Sequence, residues 1–163
     1  MIRILSDKKN MENLQKKNGL SLFQTIIETE KEEEVLDYFP LLDFDKDLRI
    51  GFSGTLGSGK THLIRSYFQK YYPQAVDQVR SPTYTYYNEY TLPNSVYHFD
   101  FYRLNEREDL QLIGFWDLWE AKKPIFVEWV ERFPFLLDLC EWKVEIDMLC
   151  SSRFYRLKKN SAP

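Results

Sequence analysis

The chain has 163 residues, with 22 basic and 25 acidic side chains and a formal net charge of −3 at pH 7. That length is typical of one domain, and the acidic balance excludes a global basic field that would attract nucleic acid. The two cysteines have no CxxC spacing and no histidine cluster beside them, which argues against a structural metal site or a disulfide framework. The N-terminus lacks the apolar core of a signal peptide, and no run of about 18 apolar residues occurs, so we expect a cytoplasmic protein without a membrane span.

The spacing of apolar residues predicts strands and helices in mixed order. Residues 1–19 are rich in lysine and asparagine and predict a poorly ordered extension, whereas residues 20–160 predict a single domain. In chain order we expect a strand at 20–28, a helix at 30–42, a strand at 48–53, a helix at 60–72, a hairpin of strands at 79–91 and 95–103, one or two short helices at 105–121, a strand at 124–128, and a closing pair of strands at 141–149 and 153–158. Strand–helix alternation combined with hairpins favours an α/β domain with a mixed parallel and antiparallel sheet.

A glycine-rich loop is the most informative segment of the chain. Residues 54–61, GTLGSGKT, match the pattern GxxxxGK[ST], and four of the six glycines lie within residues 51–59. The loop follows a predicted strand and opens a predicted helix, as a phosphate-binding loop (P-loop) requires. The alternative is a glycine-rich turn followed by an unrelated lysine. The context favours the P-loop, and hence a three-layer α/β domain of the P-loop NTPase type.

The P-loop pattern assigns a role to each part of the loop. Backbone N–H groups would surround the phosphates, the Lys60 ammonium would contact the β- and γ-phosphates, and the Thr61 hydroxyl would bind magnesium. We expect phosphate contacts from Gly54, Leu56, Gly57, Ser58, Gly59, Lys60, Thr61 and, through its backbone N–H, His62. No Asn-Lys-x-Asp segment for guanine occurs in the sequence. The expected cofactors are therefore ATP and Mg²⁺.

Two carboxylates follow predicted strands, where they could hold magnesium and place an attacking oxygen. Asp100 ends an apolar run that His98 interrupts, and Glu128 ends the run at 125–127. The carboxyl ends of strands lie at the ligand-binding edge of open α/β sheets, which is also the edge of the P-loop. From position alone, each carboxylate could equally be a solvated strand end. We expect His98 to pack or hydrogen-bond rather than to take part in catalysis.

Two further segments each have two interpretations. Ser81 and Thr83 flank a proline, so the segment is either a switch-like loop that senses the γ-phosphate or a turn before a strand, and position alone favours the turn. A basic group near the C-terminus is either a local nucleic-acid patch or a solvated strand face, and the pattern favours the strand face. That group comprises Arg153, Arg156, Lys158 and Lys159.

Four blocks in order carry a family resemblance: GTLGSGKT (54–61), SPTYTYYNEY (81–90), YHFDFYRL (97–104) and VEWVER (127–132). Together they resemble the TsaE family, bacterial ATPases associated with threonylcarbamoyl-adenosine synthesis on tRNA. The resemblance runs from about residue 22 to about residue 158. The loop is common to many proteins, whereas the second and third blocks at this spacing are far more specific.

The resemblance implies roles for particular positions. Ser81 and Thr83 would belong to a switch-like loop near the γ-phosphate. Asp100 would lie in the magnesium network, Glu128 would hold magnesium or its water and support hydrolysis, and Trp129 would lie beside the nucleotide. The catalytic set is then Lys60, Asp100 and Glu128, and the metal-binding set is Thr61, Asp100 and Glu128.

Three positions depart from the usual family pattern. Thr55 and Ser58 stand where the loop of the family has Asp and Ala, and Val130 replaces the proline of E-W-P-E-R. Because backbone amides do most of the phosphate binding, we expect small effects in the loop. Losing the proline leaves the segment after Glu128 less constrained, so the placement of Trp129 is less well defined.

The resemblance implies an ATPase subunit that binds a TsaB–TsaD pair and does not itself transfer the threonylcarbamoyl group. Its partners would hold the tRNA, and its own hydrolysis would be slow until they order the switch residues. A small-molecule or nucleotide kinase is one alternative, but residues 105–123 offer only Arg107, Lys122 and Lys123 for a lid. A nucleotide-gated binding module with negligible turnover is another.

Overall fold

Seven strands form one mixed sheet in a computed structural model that describes residues 23–44 and 46–160. The predicted extension at 1–19 lies outside the described residues. The strands are β1 (Phe23–Thr29), β2 (Arg49–Ser53), β3 (Tyr87–Tyr90), β4 (Val96–Asp100), β5 (Ile125–Glu128), β6 (Trp142–Leu149) and β7 (Ser152–Asn160). Their order across the sheet is β1-β7-β6-β2-β5-β4-β3.

The centre of the sheet is parallel and its two sides are antiparallel. Strand β2 pairs in parallel with β5 and β6, and β4 pairs in parallel with β5. Strand β3 is antiparallel to β4, and β7 is antiparallel to both β6 and β1. All five residues of β2 are buried, as expected for a strand covered on both faces. The predicted mixed sheet is therefore confirmed.

Helices cover both faces of the sheet. They are α1 (Glu32–Tyr38), α2 (Lys60–Tyr71), α3 (Arg107–Leu112), α4 (Phe115–Trp119) and α5 (Pro134–Leu137), with 3₁₀ turns at Pro73–Gln78 and Val130–Arg132. Successive β5 residues point to opposite cores: Phe126 joins α1 and α2 in one cluster, whereas Ile125 and Val127 join α3, α4 and α5 in the other. This arrangement confirms the three-layer α/β fold.

Two predicted elements are shorter in the structure. Helix α1 ends at Tyr38 rather than near residue 42, because Phe39 precedes Pro40 and adopts an extended conformation with ψ of 138°. The strand predicted at 79–91 is limited to β3. The N–H groups of Thr85 and Tyr86 both donate to the Pro82 carbonyl, so the segment before β3 is a turn.

The P-loop backbone passes very close to β6. Gly54 has φ of 143°, and a Cβ there would lie 2.4 Å from the Ile146 carbonyl oxygen, so only glycine fits. Ser58 is completely buried, and its Oγ has no hydrogen-bond partner. The Ser58 carbonyl accepts a hydrogen bond from Arg153 Nε at 2.8 Å. A side chain therefore holds the loop through its backbone carbonyl, whereas the Ser58 hydroxyl makes no hydrogen bond.

The exposed end of one sheet face carries an ion-pair cluster around Glu145. Its carboxylate lies 2.7 Å from Arg156 Nη1, 2.9 Å from Lys158 Nζ and 2.9 Å from Lys143 Nζ. Burial opposes ionisation of this group, but the hydrogen bonds from the three cations outweigh it and lower the pKa of Glu145 to about 2. The carboxylate therefore stabilises the fold above its ordinary pKa near 4.5, and this contribution is lost as pH falls towards about 2.

We predict that Ser58→Ala raises the free energy of unfolding by about 1 kcal/mol, because it removes a buried hydroxyl without a partner. Urea denaturation followed by tryptophan fluorescence measures the change. Ser53→Ala is the control, since the Ser53 hydroxyl is buried and donates to the Val144 carbonyl at 3.5 Å. A Ser58→Ala variant that loses stability would contradict the prediction.

Glu145→Gln should lower the free energy of unfolding by about 1 to 2 kcal/mol at neutral pH, after allowance for solvent screening. The difference from wild type should shrink as pH falls from about 5 to about 3, because the wild-type carboxylate becomes protonated in the unfolded chain. Urea titrations across that range measure both effects. The exposed Glu141→Gln is the matched control. A difference that stays constant with pH would refute the role of the cluster.

Candidate functional site

A pocket of about 660 Å³ opens at the carboxyl ends of the parallel strands, beside the P-loop. A volume of this size lies within the usual range of ligand pockets. The sequence-predicted site residues that line it are Leu56, Gly57, Gly59, Lys60, Thr61, His62, Ser81, Thr83, Asp100, Glu128 and Trp129. Gly54 and Ser58 do not line the pocket. The Gly54 N–H donates to Glu131 Oε1 at 3.1 Å, and Ser58 is fully buried.

The P-loop threonine contacts the carboxylate at the end of β5. Thr61 Oγ1 donates to Glu128 Oε1 at 2.6 Å. The register of β4 and β5 pairs Asp100 with Glu128, and the two residues are only 2% and 3% exposed. Two buried carboxylates and a hydroxyl are thereby assembled at one point, from three segments that are distant in sequence.

The segment before β3 contacts the second carboxylate. Ser81 Oγ donates to Asp100 Oδ2 at 3.2 Å, and the Thr83 hydroxyl donates to the same oxygen. The Tyr102 N–H donates to Asp100 Oδ1 at 2.9 Å. The segment is a turn around Pro82 that places two hydroxyls in the pocket, and a switch-like response to a γ-phosphate stays a prediction.

Lys60 lies across the mouth of its own loop. Its Nζ donates to the Gly54 carbonyl at 2.7 Å and the Thr55 carbonyl at 3.1 Å, and lies 3.7 Å from the centroid of the Trp129 ring. The residue is 4% exposed. A cation over an aromatic face is attracted by the ring quadrupole, so Trp129 helps to hold the ammonium in the pocket.

The net effect of its surroundings is to lower the pKa of the Lys60 ammonium. Burial lowers the pKa of its ammonium, while the nearby carboxylates of Glu128, Glu131 and Asp100 oppose that shift. A bound polyphosphate would add negative charge at the same place and favour the charged form further.

The turn that carries Trp129 is anchored by the residue that replaces the family proline. Trp129 has φ of 61°, an uncommon left-handed conformation, and begins the 3₁₀ turn Val130–Arg132. Val130 is fully buried, and its Cγ1 would lie 2.8 Å from a Cβ at Gly51. The Trp129 ring lies 5.0 Å from the ring of Tyr102. Replacing the proline with Val130 was expected to leave this segment less constrained. The buried Val130 side chain anchors the segment instead.

Sequence reasoning missed several residues of the site. Tyr84, Tyr102 and Arg153 line the pocket, and Glu131 binds the first N–H of the loop. Arg153 lies on β7, as the strand-face interpretation expects, but its Nε also donates to the Ser58 carbonyl. That contact joins residues 95 positions apart, and no local pattern signals it.

The oxygen donors in the pocket fit magnesium bound together with phosphates. Within residues 23–44 and 46–160, no group of three or more His, Cys, Asp or Glu side chains could hold a metal ion alone. Thr61, Asp100 and Glu128 supply one hydroxyl and two carboxylates. Magnesium commonly takes one or two carboxylates and completes its shell with phosphate oxygens and water, so this donor set suits a metal that arrives with a nucleotide.

A comparison with family models and known proteins agrees with this geometry. Residues 9–158 match the model of the family described as "Threonylcarbamoyl adenosine biosynthesis protein TsaE". The chain is 34% identical over 113 residues to the tRNA threonylcarbamoyladenosine biosynthesis protein TsaE of Haemophilus influenzae, over 69% of this chain and 70% of that protein. The Aquifex aeolicus protein of the same name is 35% identical over 97 residues, over 59% and 65% of the two chains.

A solved structure shares the fold. The crystal structure of Bacillus subtilis YdiB matches 87% of this chain and 90% of its own, with a TM-score of 0.52 and 16% identity. Separately, none of the helices in the described residues is both long enough and apolar enough to cross a membrane. Because the family model spans most of the sequence, this chain belongs to the TsaE family, whose members take part in the biosynthesis of threonylcarbamoyladenosine in tRNA.

Proposed function

We propose that this chain is the ATP-binding and ATP-hydrolysing subunit of the machinery that makes N6-threonylcarbamoyladenosine in tRNA, and that it couples ATP turnover to a TsaB–TsaD complex. The observation that carries the proposal is the 2.6 Å hydrogen bond between the Thr61 hydroxyl and the Glu128 carboxylate, beside Asp100. Two buried carboxylates at this point support hydrolysis, because they could hold magnesium and also place the attacking water.

Each group of site residues would have a separate role in hydrolysis. The loop N–H groups and the N-terminal end of α2 would bind the phosphates. Lys60 would leave the Gly54 and Thr55 carbonyls and contact the β- and γ-phosphate oxygens. Glu128 and Asp100 would orient the attacking water in line with the leaving oxygen. Magnesium held by Thr61 and these carboxylates would neutralise charge that develops on the phosphate oxygens.

The hydrogen bonds of the Ser81–Thr83 segment suggest how a partner would control the rate of ATP hydrolysis. Its hydroxyls are bound to Asp100, so they satisfy a carboxylate that the proposed metal site requires. Contact with a nucleotide would need the segment to exchange these hydrogen bonds, and a partner that stabilises the exchanged arrangement would accelerate hydrolysis. The net charge of −3 agrees with tRNA being held mainly by the partners. The assembly would act in the cytoplasm.

The alternative kinase function has little support, because the described residues form no arginine-bearing lid beside the P-loop pocket. A kinase closes a lid over its acceptor and usually brings arginines with it. In the described part of the chain, helices α3 and α4 pack on the second core through Leu110 and Phe115. Arg107 lies over the Phe135 ring at 4.1 Å and is not among the residues that line the P-loop pocket.

Lys60→Ala should abolish magnesium-dependent ATP hydrolysis, with a loss of at least about 100-fold. The rate should be measured for the purified protein alone and with TsaB and TsaD, and the wild-type rate should rise with the partners. Lys70→Ala, on the exposed side of the same helix beside Asp37, is the control and should hydrolyse ATP normally.

Three results would contradict the proposal in different ways. Hydrolysis indifferent to the partners would remove the coupling. Phosphorylation of a small-molecule acceptor would indicate a kinase. Nucleotide-dependent partner binding without turnover in any complex would indicate a binding module.

Arg153→Ala should weaken the binding of fluorescent mant-ADP by about 5- to 10-fold, because it removes a pocket-lining cation and frees the Ser58 carbonyl. A fluorescence titration measures the dissociation constant. Arg107→Ala, whose guanidinium lies over Phe135, should leave it unchanged. Equal affinity of the Arg153 variant and wild type would exclude Arg153 from the nucleotide site.

A further inference from the structure

Glu128 is the centre of a buried line of hydrogen bonds that extends away from the nucleotide pocket. His98 Nε2 lies 2.9 Å from Glu128 Oε1, and His98 Nδ1 lies 2.5 Å from the Tyr90 hydroxyl. His98 is fully buried and Tyr90 is 1% exposed. With the Thr61 bond, the line runs from the core of the protein to the P-loop: Tyr90, His98, Glu128, Thr61.

The chemistry of the carboxylate assigns the proton between His98 and Glu128. A carboxylate only accepts hydrogen bonds, so His98 donates through Nε2–H to Glu128. The other ring nitrogen, Nδ1, is paired with the Tyr90 hydroxyl. The second contact of that hydroxyl, 3.3 Å to the Arg80 carbonyl oxygen, is the longer one, and this carbonyl already accepts from Asn88 Nδ2 at 3.0 Å.

The line divides the two oxygens of Glu128 between different tasks. Both Thr61 and His98 donate to Oε1. Among the described residues, no hydrogen bond reaches Oε2, and Glu128 lines the pocket. Oε1 is therefore held by the protein while Oε2 is left for a ligand. The Thr61 hydroxyl donates its proton to Oε1, so the lone pairs of Thr61 Oγ1 are available to a cation.

Tyr90 and His98 are held by core packing and by strand pairing. The Tyr90 ring packs edge-on against Phe68 at 5.2 Å, and β3 pairs with β4 through Tyr90 and Val96 and through Asn88 and His98. A polar pair in a core lined by Phe68 and Phe126 is unfavourable unless its hydrogen bonds are made. The pair is therefore a support of defined geometry under Glu128.

We propose that His98 is a positioning residue for Glu128, and that Tyr90 holds the His98 ring in the orientation that this requires. The inference rests on the proposed function for its link to hydrolysis, but its effect on Glu128 and Thr61 is separate from turnover. Partners of a metal-binding group that lie one shell further out typically change metal affinity or activity by 10- to 100-fold when removed.

Matched substitutions separate this role from simple core packing. Tyr90→Phe removes one hydroxyl from the line. Tyr67→Phe is its control, because Tyr67 is equally buried in the same core and its hydroxyl donates to the Pro40 carbonyl at 2.8 Å, away from Glu128. His98→Leu removes both ring nitrogens, whereas His98→Gln can place an amide N–H near the position of Nε2.

The main readout is the Mg²⁺ concentration that half-maximally tightens mant-ADP binding, alongside mant-ADP affinity in EDTA and thermal unfolding. His98→Leu should raise that concentration by about 10-fold and Tyr90→Phe by about 3-fold, with affinity in EDTA unchanged. His98→Gln should recover part of the loss, and Tyr67→Phe should match wild type. In a Glu128→Ala background, His98→Leu should add no further change, because its effect passes through that carboxylate.

The same variants extend the test to catalysis. In the partner-stimulated ATPase, His98→Leu and Tyr90→Phe should lower kcat with little change in KM. Equal behaviour of Tyr90→Phe and Tyr67→Phe, an equal loss of affinity with and without Mg²⁺, or additivity with Glu128→Ala would overturn the positioning role. An absence of ATP hydrolysis in the wild type would instead overturn the proposed function, and the Mg²⁺ titration would still decide the role of His98.

Discussion

The Glu128 carboxylate is a buried charge at the end of a central parallel strand, and the rest of the site is arranged around it. An unpaired carboxylate in this position would be strongly unfavourable. The protein satisfies it with the Thr61 hydroxyl on one side and His98 on the other. Each donor comes from a different element, so burial of one charge connects the P-loop helix, β4 and β5.

The sheet makes that arrangement possible. Because β2, β4 and β5 are parallel, their carboxyl ends meet at one edge, and the loop after β2 lies beside the ends of the other two strands. Close packing then fixes how near each segment lies to the sheet. The absence of a side chain at Gly51 leaves room for Val130 against β2, and its absence at Gly54 lets the loop lie against β6. The site is therefore built largely from backbone positions that the two cores hold rigidly.

Much of this could be predicted from the sequence, for identifiable reasons. The P-loop has a pattern that encodes its own backbone geometry, and Asp100 and Glu128 follow apolar runs that end at the ligand edge of a parallel sheet. Contacts between distant segments could not be predicted in this way. The contact between Tyr90 and His98 depends on the register of β3 and β4, and that of Arg153 with Ser58 depends on where the β6–β7 hairpin ends. Helix α1 was predicted too long because apolar spacing outweighed the restriction that Pro40 places on Phe39.

In the proposed function, Glu128 places water for hydrolysis and does not only complete the fold around a bound nucleotide. Glu128→Gln tests it most directly, in single-turnover ATP hydrolysis with TsaB and TsaD, together with mant-ATP affinity and thermal unfolding of the same variant. We expect single-turnover hydrolysis to fall at least about 100-fold at Mg²⁺ and ATP concentrations that saturate the variant, so that weaker Mg²⁺-dependent binding cannot account for the loss. Hydrolysis at the wild-type rate, with the variant folded and nucleotide bound, would contradict it.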